Sequence, residues 1–216
     1  MSKLIDTNKP ESRNWLKEWR AVCITRQALL PPVSAEAAQL HGDILNKTKV
    51  PACTTCSFRD VQNRNASCQY HVVLRNELVN EHAYGQKNGI GALTKAENWA
   101  HSPWEIAKVF MPPAGYENKT TIEETDFNGI AAFIINCTRF QGKITDAVCK
   151  KAREVVNRIR HMPDISSTAL TDQATTECID NLYALLNEPG LNTLPEAIQA
   201  QAELDVVIFN TVSLHF

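Results

Sequence analysis

Between Arg13 and Ala28 the residues Trp15, Leu16, Trp19, Val22 and Cys23 recur at three- and four-residue spacing, the period of an amphipathic helix. Pro31 and Pro32 remove two successive backbone donors, which predicts a stop there. Ser34 is placed to cap a second helix through Ala37, Ala38, Leu40 and Ile44 to Asn46. Val72, Val73, Leu78 and Val79 predict a third helix over 69–82. The stretch GQKNGIG, 85–91, follows no strand pattern and lacks the glycine spacing of a dinucleotide fingerprint, so a mobile loop is expected.

Ser102-Pro103-Trp104-Glu105 combines an N-cap, proline at the first helical position and a glutamate placed to close a capping box. Pro112 and Pro113 end that helix. Ile130, Phe133, Ile134 and Cys137 share a stripe, predicting one buried helix from Phe127 to Phe140. The acidic Glu123, Glu124 and Asp126 before it favour the positive end of its dipole. Thr145 or Asp146 opens the next helix, which carries Val148, Ala152, Val155 or Val156 and Ile159 to His161 before Pro163. Another spans Thr171–Asn187. Thr193-Leu194-Pro195-Glu196 opens a last one through Ile198, Ala202 and Leu204. The run VVIFNTVSLHF, 206–216, fits a strand, a helix end or a tail, and periodicity does not choose. The expected fold class is all-α, divided into a polar tail 1–13, a helical region 14–115 holding a cysteine-rich loop at 51–71, a helical bundle 116–205 and the tail 206–216.

Composition narrows the function classes. The 216 residues are 44% hydrophobic, enough for a packed core, and the net charge of −2 leaves no bulk basic field to draw the chain onto nucleic acid or an anionic membrane. Such binding requires a local patch. Eight glycines are few for a turn-dense β fold, and no phosphate loop accompanies them, so no nucleotide cofactor is expected. No apolar window reaches the ~20 residues of a membrane span, and the polar start has no signal core, so no membrane and an intracellular setting, cytoplasmic or nuclear, are expected. Seven cysteines, an odd number, suit a reducing compartment in which thiols stay free or hold metal. The triplets at Asn46, Asn65, Asn118 and Asn136 then read as chance matches to a glycosylation signal.

Cys53-x2-Cys56, eleven residues, then Cys68-x2-His71 gives two chelating pairs joined by a loop long enough to fold both onto one ion. Zinc takes four such ligands in a tetrahedron, and a site filled by protein alone is structural, one zinc per chain. The plainer alternative is ordinary free cysteines with His71 packed on a helix. His82 reads as a helix-end residue, a substitute ligand being the alternative.

KKAREVVNRIRH, 150–161, is the most concentrated positive stretch. Arg153, Asn157 and His161 lie at i, i+4, i+8 on one face, with Arg158 and Arg160 beside them, a row able to meet phosphates on RNA or an acidic partner. A histidine among arginines can also act as acid or base near neutrality. The plainer alternative is a solvated face with cations near a helix C-terminus. Elsewhere the chain has no Gly-x-Ser-x-Gly elbow and no His-Glu-x-x-His helix. Cys137, Cys149 and Cys178 read as buried thiols that pack as small hydrophobes. Trp15 and Trp19 read as core, a partner groove being the alternative.

The basic helix, together with Asn128-Gly129-Ile130, Asn136-Cys137 and Phe140, resembles the HEPN (higher eukaryotes and prokaryotes nucleotide-binding) superfamily. From 14 to 205 the chain is similar to a poorly characterised animal family that includes a human X-chromosome open-reading-frame protein. Trp104-Glu105-Ile106-Ala107-Lys108 and Phe110-Met111-Pro112 form the clearest shared run. The cysteine-rich loop recurs in that family with cysteine where this chain has His71, which implies metal. The HEPN pattern carries arginine, a polar residue, three arbitrary residues and histidine. In catalytic members these build a metal-independent RNA-cleaving site across a dimer. Asn157 and His161 match, but Val156 stands at the arginine position, and valine can neither carry charge nor donate to a phosphorane. The resemblance therefore implies a homodimeric, non-enzymatic HEPN-like bundle for RNA binding or protein assembly. A metal-independent endoribonuclease using His161 with Asn157 and Arg153 is the alternative.

Overall fold

The computed structural model describes residues 8–57, 60–61, 68–84, 94–112, 115–161 and 170–209. Seven α-helices lie wholly within them: α1 Pro10–Lys47, α2 Gln69–Asn80, α3 Pro103–Ala107, α4 Phe127–Asn136, α5 Asp146–Arg160, α6 Asp172–Leu186 and α7 Pro195–Phe209. The described residues contain no strand, only an isolated antiparallel bridge between His82 and Cys137. The fold is all-α. The expected loop 85–91, Pro163 and residues 210–216 of the tail lie outside the described residues.

The chain forms two compact units, one of residues 1–29 with 142–216 and one of residues 30–141. The boundary expected near 115 falls inside the second. The stop expected at Pro31-Pro32 does not occur, because α1 runs through both prolines. Pro31 is exposed and Pro32 half-buried, while Leu29, Leu30, Val33 and Ala37 around them are buried. Two interior prolines, each costing about 3 kcal/mol, are offset by burying Leu29, Leu30 and Val33 at roughly 1.5–3 kcal/mol apiece.

In the first unit α1 keeps the predicted period but turns the other face inward. Ser12, Asn14, Glu18, Ala21, Val22, Thr25 and Leu29 are buried, whereas Trp19 is 42% exposed, Cys23 is exposed and Trp15 is only half-buried. Each of three inward polar groups has a partner that makes its burial affordable. Asn14 Nδ2 donates to Leu170 O and to Asp172 Oδ1, both at 2.9 Å, and Thr25 Oγ1 donates to Ala21 O at 2.9 Å. Glu18 accepts from Arg158 Nη2 at 3.2 Å and from Thr175 Oγ1 at 3.0 Å. The core also takes in Cys149, Ala152, Val156 and Ile159 of α5, Cys178, Ile179, Leu182, Leu185 and Leu186 of α6, and Ala197, Ala200, Leu204 and Val207 of α7, with Ile144, Leu170 and Leu191 between the helices. Helix α5 packs on α6, and α6 on α7. Ile198, expected in the last stripe, is 53% exposed because the buried row of α7 is shifted by one position to Ala197 and Ala200.

In the second unit Phe110, Phe133 and Phe140 form a continuous ring cluster with centroids 5.5 and 5.3 Å apart. Asp126 caps α4 by accepting from Gly129 N at 2.9 Å. Gly129 is required there: a Cβ would stand 2.5 Å from both Thr125 Cγ2 and Tyr116 Cε1. The helix expected to reach Phe140 ends at Asn136. Cys137 turns extended to pair with His82, Ala83 N donates to Asn136 O at 2.7 Å and Thr138 N to Glu81 O at 2.8 Å, after which a 3-10 turn covers Thr138–Phe140. The Asn136 side chain is spent on Phe110 O at 2.7 Å. Ser102 caps α3 as predicted, accepting from Glu105 N at 3.2 Å. Glu105 does not return to Ser102. Its buried carboxylate takes Lys108 Nζ at 2.7 Å and Lys95 N at 2.7 Å, and Lys108 also donates to the carbonyls of Glu117 and Lys119.

Candidate metal centre

Cys68 is the N-cap of α2, with extended backbone and no side-chain capping bond, so its thiol is not used by the helix. His71 follows in the first turn and so lies on the same side as Cys68. Cys53 and Cys56 occupy a short bend ahead of Ser57, whose amide and hydroxyl both donate to Asp60 Oδ2, at 2.8 and 2.7 Å. The two pairs converge. Cys53 and Cys56 Sγ are 3.6 Å apart, Cys68 Sγ and His71 Nδ1 are 3.3 Å apart, and one ligand atom from each of the four lies within 4.8 Å of every other. A tetrahedral zinc with ~2.3 Å sulfur and ~2.0 Å nitrogen bonds spaces its ligand atoms about 3.5–3.8 Å apart. The four residues are clustered as a metal site requires.

The histidine carries a second feature. Its ring is fully buried, 5.1 Å from the Tyr70 ring and 5.7 Å from the Trp99 ring, and its Nε2 lies 2.9 Å from Ala96 O. A carbonyl only accepts, so the proton belongs on Nε2 and the Nδ1 lone pair faces Cys68. Metal-bound histidines are oriented in this way by a backbone carbonyl. Trp99 is in turn held by its Nε1 donating to Thr94 Oγ1 at 2.7 Å.

The thiols respond to their crowding. The Thr55 hydroxyl, then the Thr55 amide, pull Cys53 down to about 6. Cys56 is favoured as a thiolate by a backbone bond from Cys68, but burial and the neighbouring Cys53 and Cys68 thiols outweigh it and push Cys56 up to about 11. One negative charge is therefore accommodated readily and a second resisted, the state a divalent cation relieves. His82, the substitute ligand, is not part of the cluster. It is buried against Phe110 with ring centroids 5.4 Å apart, Tyr84 N points at its Nδ1 at 3.2 Å, and burial lowers its pKa.

The basic helix is α5. Val156 is 1% exposed and belongs to the core, so the register position preceding Asn157 faces inward. Arg153 and Asn157 are half-buried, and Arg160 and His161 are exposed. His161 is the C-cap and donates its amide to Asn157 O at 3.0 Å. Arg158 is turned into the unit, where it meets Glu18 and Ala174 O. Nothing local in the sequence marks that pairing, since Glu18 and Arg158 are 140 positions apart. Cys137, Cys149 and Cys178 are buried as expected, and burial pushes each thiol up to about 12, far from a reactive thiolate. Among the described residues, no helix is long and apolar enough to cross a membrane.

Comparison with known proteins agrees with an animal family that has an X-chromosome open-reading-frame member. The mouse (Mus musculus) protein named "Uncharacterized protein CXorf38 homolog" is 26% identical over 222 aligned positions, which cover 96% of this chain and 64% of the relative. The chain thus spans slightly under two thirds of that relative's length. No solved structure matches. Residues 7–212, nearly the whole chain and including Cys53, Cys56, Cys68 and His71, match one family, and the protein belongs to that family, described as Domain of unknown function (DUF4559).

Proposed function

We propose that the protein is a non-enzymatic, intracellular HEPN-like module with one structural zinc per chain, acting as a homodimer in RNA binding or protein assembly. The observation that carries the zinc is the convergence of Cys53, Cys56, Cys68 and His71, with the His71 tautomer fixed by Ala96. All four positions are filled by protein, which leaves no open site for a substrate and assigns the ion a structural role. None of the seven cysteines is in a disulfide, which fits a reducing compartment. Buried Val156 supports the non-enzymatic reading, because an arginine there would have to place its charge in the core.

Two measurements test this reading. Elemental analysis is expected to return about one zinc per chain, lost in Cys68→Ser, and a fully folded metal-free protein would remove the metal from the proposal. Zinc-loaded protein in magnesium-free buffer is expected to leave RNA intact while retaining it in a salt-sensitive complex, or to self-associate without it.

The endoribonuclease reading has one observation in its favour. Arg153 lies one turn before Asn157 on the His161 row, and its Nε has no hydrogen-bond partner among the described residues. RNA cleavage by wild type that disappears in His161→Ala would establish it and displace the non-enzymatic reading.

A further inference from the structure

The stretch of α1 from Trp15 to Cys23 presents to solvent what a helix normally buries. Trp15 and Trp19 stand one turn apart with parallel rings, centroids 5.9 Å apart and planes 3° from each other, and Trp19 is 42% exposed. Cys23 extends the same row, and Leu16 and Arg20 lie on the adjoining solvent side. Between Pro10 and Leu29 the chain has four cations, Arg13, Lys17, Arg20 and Arg26, against two acids, Glu11 and Glu18. Glu18 is fully buried and held by Arg158, and Glu11 sits a turn before Trp15 at the start of the helix. Among the described residues, no carboxylate is within salt-bridge distance of Arg13, Lys17 or Arg20.

We infer that this side of α1 is a stacking surface for single-stranded RNA, with bases against the Trp15–Trp19 pair and a phosphate on the exposed Arg20 beside them, while Arg13 and Lys17 stand further round the helix as flanking charge. The inference deepens the RNA arm of the proposed function and rests on it. Flat aromatic faces beside cations complement both halves of an unpaired nucleotide, whereas an acidic peptide would answer the cations and leave the indoles uncovered. A second copy of the chain is disfavoured by charge, since pairing this side with itself brings Arg20 and its flanking cations against their own kind. Stacking and phosphate contact do not read the sugar, so single-stranded DNA of equal length is expected to compete.

The test uses the full zinc-loaded chain and a fluorescein-labelled, U-rich single-stranded RNA, read by anisotropy across a salt series. Trp19 is exposed, so Trp19→Ala is expected to keep the wild-type melting curve and metal content while weakening binding about ten-fold or more. Arg20→Glu is expected to weaken it too and to flatten the salt dependence, and duplex RNA to bind less well. Unchanged affinity in both variants, with loss in Arg153→Ala/Arg160→Ala, would overturn the inference while leaving RNA binding as the function. No binding of either strand form by wild type would overturn the inference together with the RNA arm, leaving assembly. Trp19-dependent capture of poly-glutamate or phosphatidylserine vesicles without RNA binding would overturn it in favour of those partners.

Discussion

Glu18 is a carboxylate with no exposed surface, and burial raises its pKa above the usual 4.5 despite the lowering effects of Arg158 and Thr175. The folded chain therefore holds the proton to higher pH than the unfolded chain does. Over the window that opens near the ordinary carboxylate value, stability falls as pH rises. Glu18→Gln keeps an oxygen for Thr175 and Arg158 but cannot ionise, so it is expected to match wild type at pH 4 and to exceed it near pH 7 by urea midpoint. Arg158→Ala is expected to behave oppositely, leaving the carboxylate uncompensated at pH 7. Because the Arg158 side chain is 35% exposed, the loss should be about 2 kcal/mol, below the ~3–5 of a fully enclosed pair, and should shrink at pH 4. Gly129→Ala should cost about 1–3 kcal/mol through its close approach to Tyr116 and Thr125, read as a lower melting temperature. These residues differ in what the sequence betrays. Cys53, Cys56, Cys68 and His71 are legible because chelate spacing is local, while the Glu18–Arg158–Thr175 contact spans most of the chain and has no local signature.

Helix caps follow the same rule. Ser102, Asp126 and Thr171 act within three residues of themselves, accepting from Glu105, Gly129 and Ala174 respectively; of these only the Ser102 cap is predicted from the sequence, and Thr145, expected to open α5, makes no side-chain capping bond. Thr171→Ala is expected to lower stability by ~1 kcal/mol in equilibrium unfolding. Burial direction is less legible. The 3.6-residue period of α1 is evident from Trp15, Trp19 and Cys23, yet the partners that allow Asn14 and Glu18 to turn inward arrive from Leu170, Asp172 and Arg158. Pro31 and Pro32 are a strong local stop overruled by the burial of Leu29, Leu30 and Val33. Since the Pro31 ring is exposed, Pro31→Ala removes no core contact and restores a donor. It is expected to raise stability by about 1–3 kcal/mol by urea unfolding, and a loss would mean that packing depends on a bend there.

At the scale of the molecule, the N-terminal part of α1 belongs with the C-terminal helices, and this return of the chain is what a linear reading into 14–115 and 116–205 has no means of detecting. The division bears on what metal removal does. The four clustered residues sit in the unit of residues 30–141, tied to α2 through Cys68 and His71 and to the 96–99 segment through Ala96 O and the Trp99 ring. Structural zinc contributes on the order of 10 kcal/mol where no site exists before folding, so stripping it should be felt first by those attachments. Amide exchange after chelation is expected to accelerate in α2 and in Ala96–Asn98, with a red shift of the buried Trp99 emission, while α5 and α6 retain their protection. Unaltered protection in α2 would mean that the thiols pack without an ion. Simultaneous loss in α5 and α6 would mean that the ion supports both units, so that the module folds only when loaded and its availability tracks the zinc supply.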